Sequence, residues 1–156
     1  MRARSLDELQ VYQKALRGAS AVSALLDCPG LRSDFRLRGQ LSDASDSTCS
    51  NISEGFGRSD RRFTQFLYYA KGSANEVRTR LVLARQKGYI TDAQRLGPDG
   101  IFEEVLKMLT RLIQYLERCD QASRRLSGQP EATALDDETS DETVADEASP
   151  DFTPVE

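Results

Sequence analysis

The sequence predicts an all-α protein: an antiparallel up-and-down four-helix bundle over residues 1–126, followed by an acidic, disordered tail over residues 127–156. Four long segments repeat apolar residues at alternating steps of three and four, which is the spacing of one helix face. Short connections join these segments, as they do between antiparallel neighbours in a bundle. After Leu126 the periodicity ends, and the polar, acidic remainder cannot bury enough apolar surface to offset its ordering entropy.

The first helix is predicted to begin at a capping box formed by Ser5 and Glu8 and to end at Cys28-Pro29-Gly30. Its predicted core face follows helical spacing: Leu9, Tyr12, Leu16, Ala19, Ser23 and Leu26. The second helix is predicted from about Ser33 to Glu54. Because it is rich in Ser and Thr, which are mediocre helix formers, we expect tertiary packing to hold it. Its predicted core face carries Leu37, Leu41, Ala44, Thr48 and Ile52.

The third helix is predicted from about Asp60 to Lys87, with Gly88 as a left-handed C-terminal cap. An unbroken apolar seam runs along it: Phe63, Leu67, Ala70, Ala74, Val77, Leu81 and Ala84. The fourth helix is predicted from about Asp99 to Leu126. Its apolar face is wider than one bundle seam requires: Ile101, Phe102, Val105, Leu106, Met108, Leu109, Leu112, Ile113 and Leu116.

The extra apolar width of the fourth helix, together with Phe66, Tyr68 and Tyr69 on the third, suggests a homo-oligomer. The alternative is that these are ordinary surface residues, because more than half of a protein's surface is apolar. Gly55 and Gly57 are expected to end the second helix with positive φ angles, and Ser59 or Asp60 to cap the third.

Composition disfavours an enzyme. The 156 residues include no His, and the three cysteines, Cys28, Cys49 and Cys119, show no metal-binding spacing. We find no phosphate-binding loop, no nucleophile elbow and no paired catalytic carboxylates, so we expect no catalytic residue, no cofactor and no metal. No apolar run reaches the ~18 residues of a membrane span, and no secretory signal is apparent, so a cytoplasmic protein is the simplest interpretation.

The net charge of −4 hides an uneven distribution. Of the 25 acidic residues, ten lie between 129 and 156, where there is no Lys or Arg. The remaining chain holds all 21 basic residues and 15 acidic ones, a net charge of +6. We therefore expect a mildly basic domain with a strongly acidic tail. The tail either acts as a solvated extension or folds back on the basic surface and competes with nucleic acid.

Several motifs at fixed positions carry a family resemblance: LQVYQKA (9–15), LxxQL (37–41), NISEGFGR (51–58), FxxFLxxAxGSxxE (63–76) and GYI (88–90). Over roughly residues 6–120 the chain resembles the four-helix-bundle family of 23S rRNA intervening-sequence proteins. The accessory variability determinant proteins of diversity-generating retroelements share that fold. The resemblance implies a ring-like homo-oligomer, a pentamer in the retroelement proteins, and possible partners in nucleic acid and a reverse transcriptase.

Within the matching block we predict a partly buried polar network of Asn51, Glu54, Ser73 and Glu76 that fixes the register of two helices. Gly72 and Ser73 would open a notch for a neighbouring backbone. The alternative is a ligand or metal site made by the two carboxylates. One departure from the family pattern is Arg62, which stands where family members usually carry Glu. Together with Arg61 it opposes the helix macrodipole, which suggests either an anion contact or a partner carboxylate.

Basic residues on the third helix form the predicted nucleic-acid surface. One row holds Lys71, Arg78 and Arg85, and a second holds Arg80 and Lys87. The N-terminal end carries Arg58, Arg61 and Arg62. Such rows would bind phosphates with strong salt dependence, although solvated helix flanks have the same composition. Because no RNA-binding motif or aromatic stacking platform is apparent, any binding should be directed at the backbone. The competing hypothesis is a protein–protein scaffold or adaptor with no nucleic-acid role.

Overall fold

A computed structural model of the chain describes residues 4–128. Secondary structure in that part is helical, without strands: a 3-10 turn at Leu6–Glu8, then α1 (Gln10–Leu25), α2 (Pro29–Ser33), α3 (Phe35–Gly55), α4 (Asp60–Gln86) and α5 (Asp92–Ser127). The predicted disordered tail lies outside the described residues from position 129 onward. Among helices of the described part, none combines the length and the apolar composition that crossing a bilayer requires.

The four long helices form a bundle in which α1 packs on α3, α3 on α4, α4 on α5, and α5 on α1 again. Contacts between helices show that successive long helices run antiparallel. Gly55 at the end of α3 lies beside Phe66 near the start of α4. At the other end of the bundle, Lys87 pairs with Asp34, the residue that precedes α3. The short α2, which the sequence analysis did not identify, lies in the connection between α1 and α3.

The predicted core faces of α3 and α4 are confirmed. Each predicted α4 seam residue, from Phe63 to Ala84, is buried, and so are the five predicted for α3. The polar Thr48 can lie inside because its hydroxyl donates to the carbonyl of Ala44 at 2.9 Å. Ser45, also buried, donates to the carbonyl of Ser42 at 2.8 Å. These local hydrogen bonds remove most of the cost of burying a hydroxyl.

The predicted core face of α1 is only partly correct, because Leu9, Tyr12 and Leu26 pack against the core but are half-buried. The buried residues are the neighbouring series Val11, Ala15, Gly18, Val22 and Leu25, whereas Leu16 is 38% exposed and Ser23 is exposed. Both series have helical spacing, and packing against α5 selects between them. A Cβ at Gly18 would lie 2.9 Å from the Phe102 ring of α5. The small residues at 15 and 18 therefore let α5 approach closely.

The start of α5 also differs from the prediction, which placed it near Asp99. The helix begins at Asp92 because Thr91 and Gln94 form a capping box. The Thr91 hydroxyl accepts from the Gln94 amide at 3.2 Å, and the Gln94 side chain accepts from the Thr91 amide at 2.8 Å. Pro98 lies buried inside the helix, so Gly97-Pro98 does not break it.

The wide apolar face of α5 is used within the bundle. Leu106, Met108 and Leu112 flank the buried row and pack against the core. Because α5 contacts both α1 and α4, it needs a wider apolar face than a helix with one seam. This packing removes one of the two reasons for expecting a homo-oligomer.

Of two predicted helix caps, one is found in the structure and the other is not. At the end of α4, Gly88 has the predicted left-handed conformation, with φ 73°. Its amide donates to the Arg85 carbonyl and the Tyr89 amide donates to Ala84, the pattern of a Schellman cap. At the start of the chain, the predicted capping box is wrong. Ser5 precedes only the 3-10 turn, and its side chain makes no capping hydrogen bond there.

Candidate nucleic-acid interface

The turn between α3 and α4 presents the predicted arginine cluster. Gly55 is needed for close packing rather than for positive φ, which corrects the prediction: a Cβ there would lie 2.7 Å from the Phe66 Cβ. Gly57 does adopt positive φ, at 83°. Arg58 turns back on α3, donating to the Glu54 carbonyl at 2.8 Å, while its guanidinium lies 4.9 Å over the Phe66 ring. Ser59 occupies the N-cap position of α4 without a capping hydrogen bond from its side chain.

Arg61 and Arg62, which we call the basic pair, lie in the first turn of α4. Both are exposed, and neither has a salt bridge or hydrogen-bonded acidic partner among residues 4–128. Lys71, further along α4, is half-buried and likewise has no acidic partner in that range. The basic pair is therefore the least neutralised part of the predicted surface.

Arg58 pairs with Glu54, and four more of the predicted cations are also paired with carboxylates. Arg78 contacts Asp99 at 2.7 Å, and Arg85 contacts Asp92 at 2.8 Å, both on α5. Arg78 and Arg85, two of the three residues in the first predicted row, thus lie at the α4–α5 boundary and already have acidic partners there. Arg80 pairs with Glu76 one turn away at 2.9 Å. Lys87 pairs with Asp34 at 2.7 Å.

These pairs shift the ionisation of their members. The hydrogen bond from Lys87 lowers the pKa of Asp34, and the Leu37 amide contributes in the same direction. The same contact raises the pKa of Lys87. The hydrogen bond between Arg85 and Asp92 raises the pKa of Arg85 and lowers that of Asp92. All four groups stay charged near neutral pH, so their charges offset one another and leave little net field for a polyanion.

The predicted polar network is replaced by four local contacts. Asn51 donates to the Ser47 carbonyl at 2.8 Å, and Ser73 donates to the Tyr69 carbonyl at 3.2 Å. Glu54 pairs with Arg58, and Glu76 with Arg80. Each contact lies within one helix or the turn that follows it, because each of these side chains has its partner one helical turn away. None of the four contacts joins α3 to α4. No group of three or more metal-ligating side chains is found in the described part of the chain.

The predicted notch at Gly72 faces outward. A Cβ at this position would meet nothing within 4 Å, so no neighbouring helix of the bundle requires the glycine. Beside it, Tyr68 is 49% and Tyr69 is 52% exposed. The sequence analysis noted these aromatics but found no stacking platform. Both lie on the side of α4 opposite its buried seam and therefore face solvent.

The chain matches a known protein family over most of its described part. A family model described as 23S rRNA-intervening sequence protein matches residues 7–111. The match covers α1 to α4 and the first half of α5, including the whole candidate interface. No curated protein matches the chain.

Proposed function

The chain belongs to the 23S rRNA-intervening sequence protein family, and on that premise we propose that it is a non-enzymatic accessory protein that binds nucleic acid. The proposed contact is between the basic pair, Arg61 and Arg62, and backbone phosphates. Lys71, which also has no acidic partner among residues 4–128, would add charge further along α4, whereas Arg58 is already paired with Glu54. The paired cations Arg78, Arg80, Arg85 and Lys87 support the bundle rather than the contact.

The observation that carries the proposal is the contrast between cations without an acidic partner, such as Arg61 and Arg62, and cations that are bonded to carboxylates. An arginine already bonded to a carboxylate must give up that bond to bind a phosphate, so it gains little from the exchange. Arg61 and Arg62 have no such bond to break, and their guanidinium groups match phosphate geometry. Contacts of this kind position a protein on a strand without reading its sequence. The proposed binding is therefore weakly specific.

The test is a fluorescence-polarisation titration of labelled duplex RNA of arbitrary sequence at several salt concentrations. We expect affinity to fall as salt rises. The double variant Arg61→Ala/Arg62→Ala should bind more weakly and reduce the slope of log affinity against log salt by about two, roughly one for each lost phosphate contact. The matched control is Arg32→Ala/Arg36→Ala, which removes two other exposed arginines at the opposite end of the bundle. Equal effects of the two double variants would contradict the proposal.

A scaffold or adaptor role is the second candidate, and the exposed Tyr68 and Tyr69 favour it, because aromatic residues are enriched in protein interfaces. A homo-oligomer, a pentamer by resemblance, would be its simplest form. Light scattering after size-exclusion chromatography measures the assembly directly. A monomer at micromolar concentration would remove this candidate's homo-oligomeric form.

The finer assignments follow from the resemblance, except the cytoplasmic location, which follows from the composition of the sequence. We propose kinship with the accessory proteins of diversity-generating retroelements, a reverse transcriptase or ribonucleoprotein as the protein partner, and a cytoplasmic location. Co-purification of the full chain with a reverse transcriptase encoded nearby would support the first two. Binding to the enzyme that survives nuclease treatment would separate a protein contact from one bridged by nucleic acid.

A further inference from the structure

The outward side of α4 carries aromatic and cationic side chains on one face. We call it the tyrosine face, and it consists of Arg61, Arg62, Tyr68, Tyr69 and Gly72. None of these residues belongs to the buried seam. Nearly half of Tyr68 and just over half of Tyr69 are exposed, which is unusual for two adjacent large aromatic side chains on a bundle helix.

Helix geometry aligns each tyrosine with an arginine. Arg61 precedes Tyr68 by seven residues, and Arg62 precedes Tyr69 by the same interval. Seven residues make two turns, so each arginine lies on the same side of α4 as its tyrosine, about 10 Å along the axis. That distance is about three nucleotides at the ~3.4 Å rise of a stacked strand. Rings and guanidinium groups could therefore contact one short strand at the same time.

Gly72 leaves the two rings uncovered. Side chains on a helix lean toward its N-terminus and cover the residues three and four positions earlier. A side chain at position 72 would therefore lie over Tyr69 and Tyr68. The glycine is helical and surrounded by open space, so no close contact within the bundle demands it. It also lowers helix stability by about 1 kcal/mol relative to alanine.

Neighbouring contacts hold both rings in place. The Tyr69 hydroxyl accepts from Gln65 at 2.9 Å, and its ring meets Phe66 edge to face at 6.0 Å. The Tyr68 hydroxyl donates to Glu117 of α5 at 2.9 Å. Because these contacts already restrict the rings, a stacked ligand would lose little additional side-chain entropy on binding.

We propose that the tyrosine face binds single-stranded nucleic acid, with unpaired bases stacking on the tyrosine rings and the basic pair contacting phosphates. This inference rests on the proposed function and names its substrate class. A duplex hides its base faces inside its own stack, whereas an unpaired strand offers them to aromatic side chains.

The experiment compares three probes of equal length by fluorescence polarisation with the full chain: oligouridine, an abasic phosphodiester strand and duplex RNA. We expect oligouridine to bind more tightly than the abasic strand. In Tyr68→Ala/Tyr69→Ala, oligouridine affinity should fall at least about thirtyfold, because two base–aromatic stacks are lost. Affinity for the abasic strand should not change. Tyr68→Phe/Tyr69→Phe keeps the rings and should bind oligouridine within about twofold of the natural chain.

A second variant keeps the test decisive if the double alanine variant is poorly folded. In Gly72→Leu, the new side chain should cover both rings while favouring the helix. We expect a higher melting temperature together with weaker binding of oligouridine, and unchanged binding of the abasic strand. A loss of stability alone cannot produce this combination.

Different outcomes separate the two proposals. If duplex and abasic probes bind through the basic pair but oligouridine gains nothing from its bases, the stacking inference fails and the proposed function stands. If no probe binds, both fail. If the tyrosine variants lower the molar mass in light scattering without changing any nucleic-acid affinity, the face is an interface between copies and the inference is overturned.

Discussion

Arg78 on α4 donates from its Nε atom to Oδ1 of Asp99 on α5 at 2.7 Å. The second oxygen of Asp99 accepts from Arg95, one turn earlier on α5, at 3.0 Å. The side chain of Asp99 is only 14% exposed, so both guanidinium groups reach a largely shielded carboxylate. The hydrogen bond to Asp99 is the main reason that the pKa of Arg78 is raised. The contact ties together two helices that are adjacent in the bundle.

Replacing Arg78 with Ala should lower the free energy of unfolding by roughly 1 kcal/mol, because Asp99 loses one of two cationic partners while staying shielded. Urea denaturation monitored by circular dichroism measures the change. Arg61→Ala is the control on the same helix: it removes an exposed arginine and should alter stability by less than about 0.5 kcal/mol. An Arg78 variant as stable as this control would show that the ion pair contributes nothing net.

The contact between Asp34 and Lys87 should make stability depend on pH. The pKa of Asp34 is lowered and that of Lys87 is raised. The contribution is therefore complete between the ordinary values of about 4 and about 10. It is lost as pH falls through the lowered pKa of Asp34, or rises through the raised pKa of Lys87.

In Asp34→Asn the amide oxygen can still accept from the Leu37 amide, so mainly the ion pair is removed. We expect this variant to have a lower melting temperature than the natural chain at about pH 7, with a difference that shrinks toward about pH 3. A difference that is the same at both pH values would mean that capping, not the ion pair, is responsible.

Gly55→Ala should destabilise the protein, because the added Cβ would lie 2.7 Å from the Phe66 Cβ and 2.8 Å from the Phe63 ring. Overpacking of this kind costs roughly 1–3 kcal/mol. Gly39→Ala, in the same helix but with open space around it, should instead stabilise by about 0.5–1 kcal/mol. Thermal melts compare the two variants directly. The decisive result is a lower melting temperature for Gly55→Ala and a higher one for Gly39→Ala.

Cys49 should react slowly with alkylating reagents. Burial raises the pKa of its thiol to about 11, and the charge of Asp46 adds to the shift. In a variant with Cys28 and Cys119 changed to Ser, the iodoacetamide rate at Cys49 should still rise about tenfold per pH unit above pH 9, since only the thiolate reacts. Mass spectrometry measures the rate. A plateau near pH 9 would indicate an ordinary thiol.

Removing the tail after Gly128 should strengthen nucleic-acid binding at low salt. The tail carries ten acidic residues, and α5 ends at the same end of the bundle where α4 begins, because the two helices are antiparallel. α5 therefore ends at the end of the bundle that carries the basic pair, so the acidic residues that follow it in the sequence would compete with phosphates there. Polarisation titrations of full-length and shortened chains measure the effect. Equal affinities at low salt would show that the tail does not compete.

The sequence predicts the seam of α4 because only one series of its apolar residues has continuous helical spacing. It misplaces the core face of α1, where two neighbouring series fit equally well. There the close approach of Phe102 to Gly18 selects the series, and that contact depends on tertiary structure. The early start of α5 was predictable in principle, since Thr91 and Gln94 have capping-box spacing.

The candidate site is likewise only partly predictable from the sequence. Sequence identifies which side chains are cationic, and helical spacing places them in rows. It does not reveal that Arg78 and Arg85 face acidic residues on α5, because Asp99 and Asp92 belong to another helix and their position depends on how α4 and α5 pack. The outward position of Gly72 was predictable in principle, because the correctly predicted seam of α4 lies on the opposite side of the helix.

The last buried side chain of α5 is Leu116, and the helix continues to Ser127 without another. Beyond the contact of Glu117 with Tyr68, these final three turns are held by helical hydrogen bonds and local pairs such as Arg124 with Asp120. Isolated helical turns are only marginally stable in water. Their backbone amides should therefore exchange with deuterium far sooner than those of α3 and α4. The same stretch is a natural place to attach a fluorophore or a fused protein, since a modification there leaves the interior packing untouched.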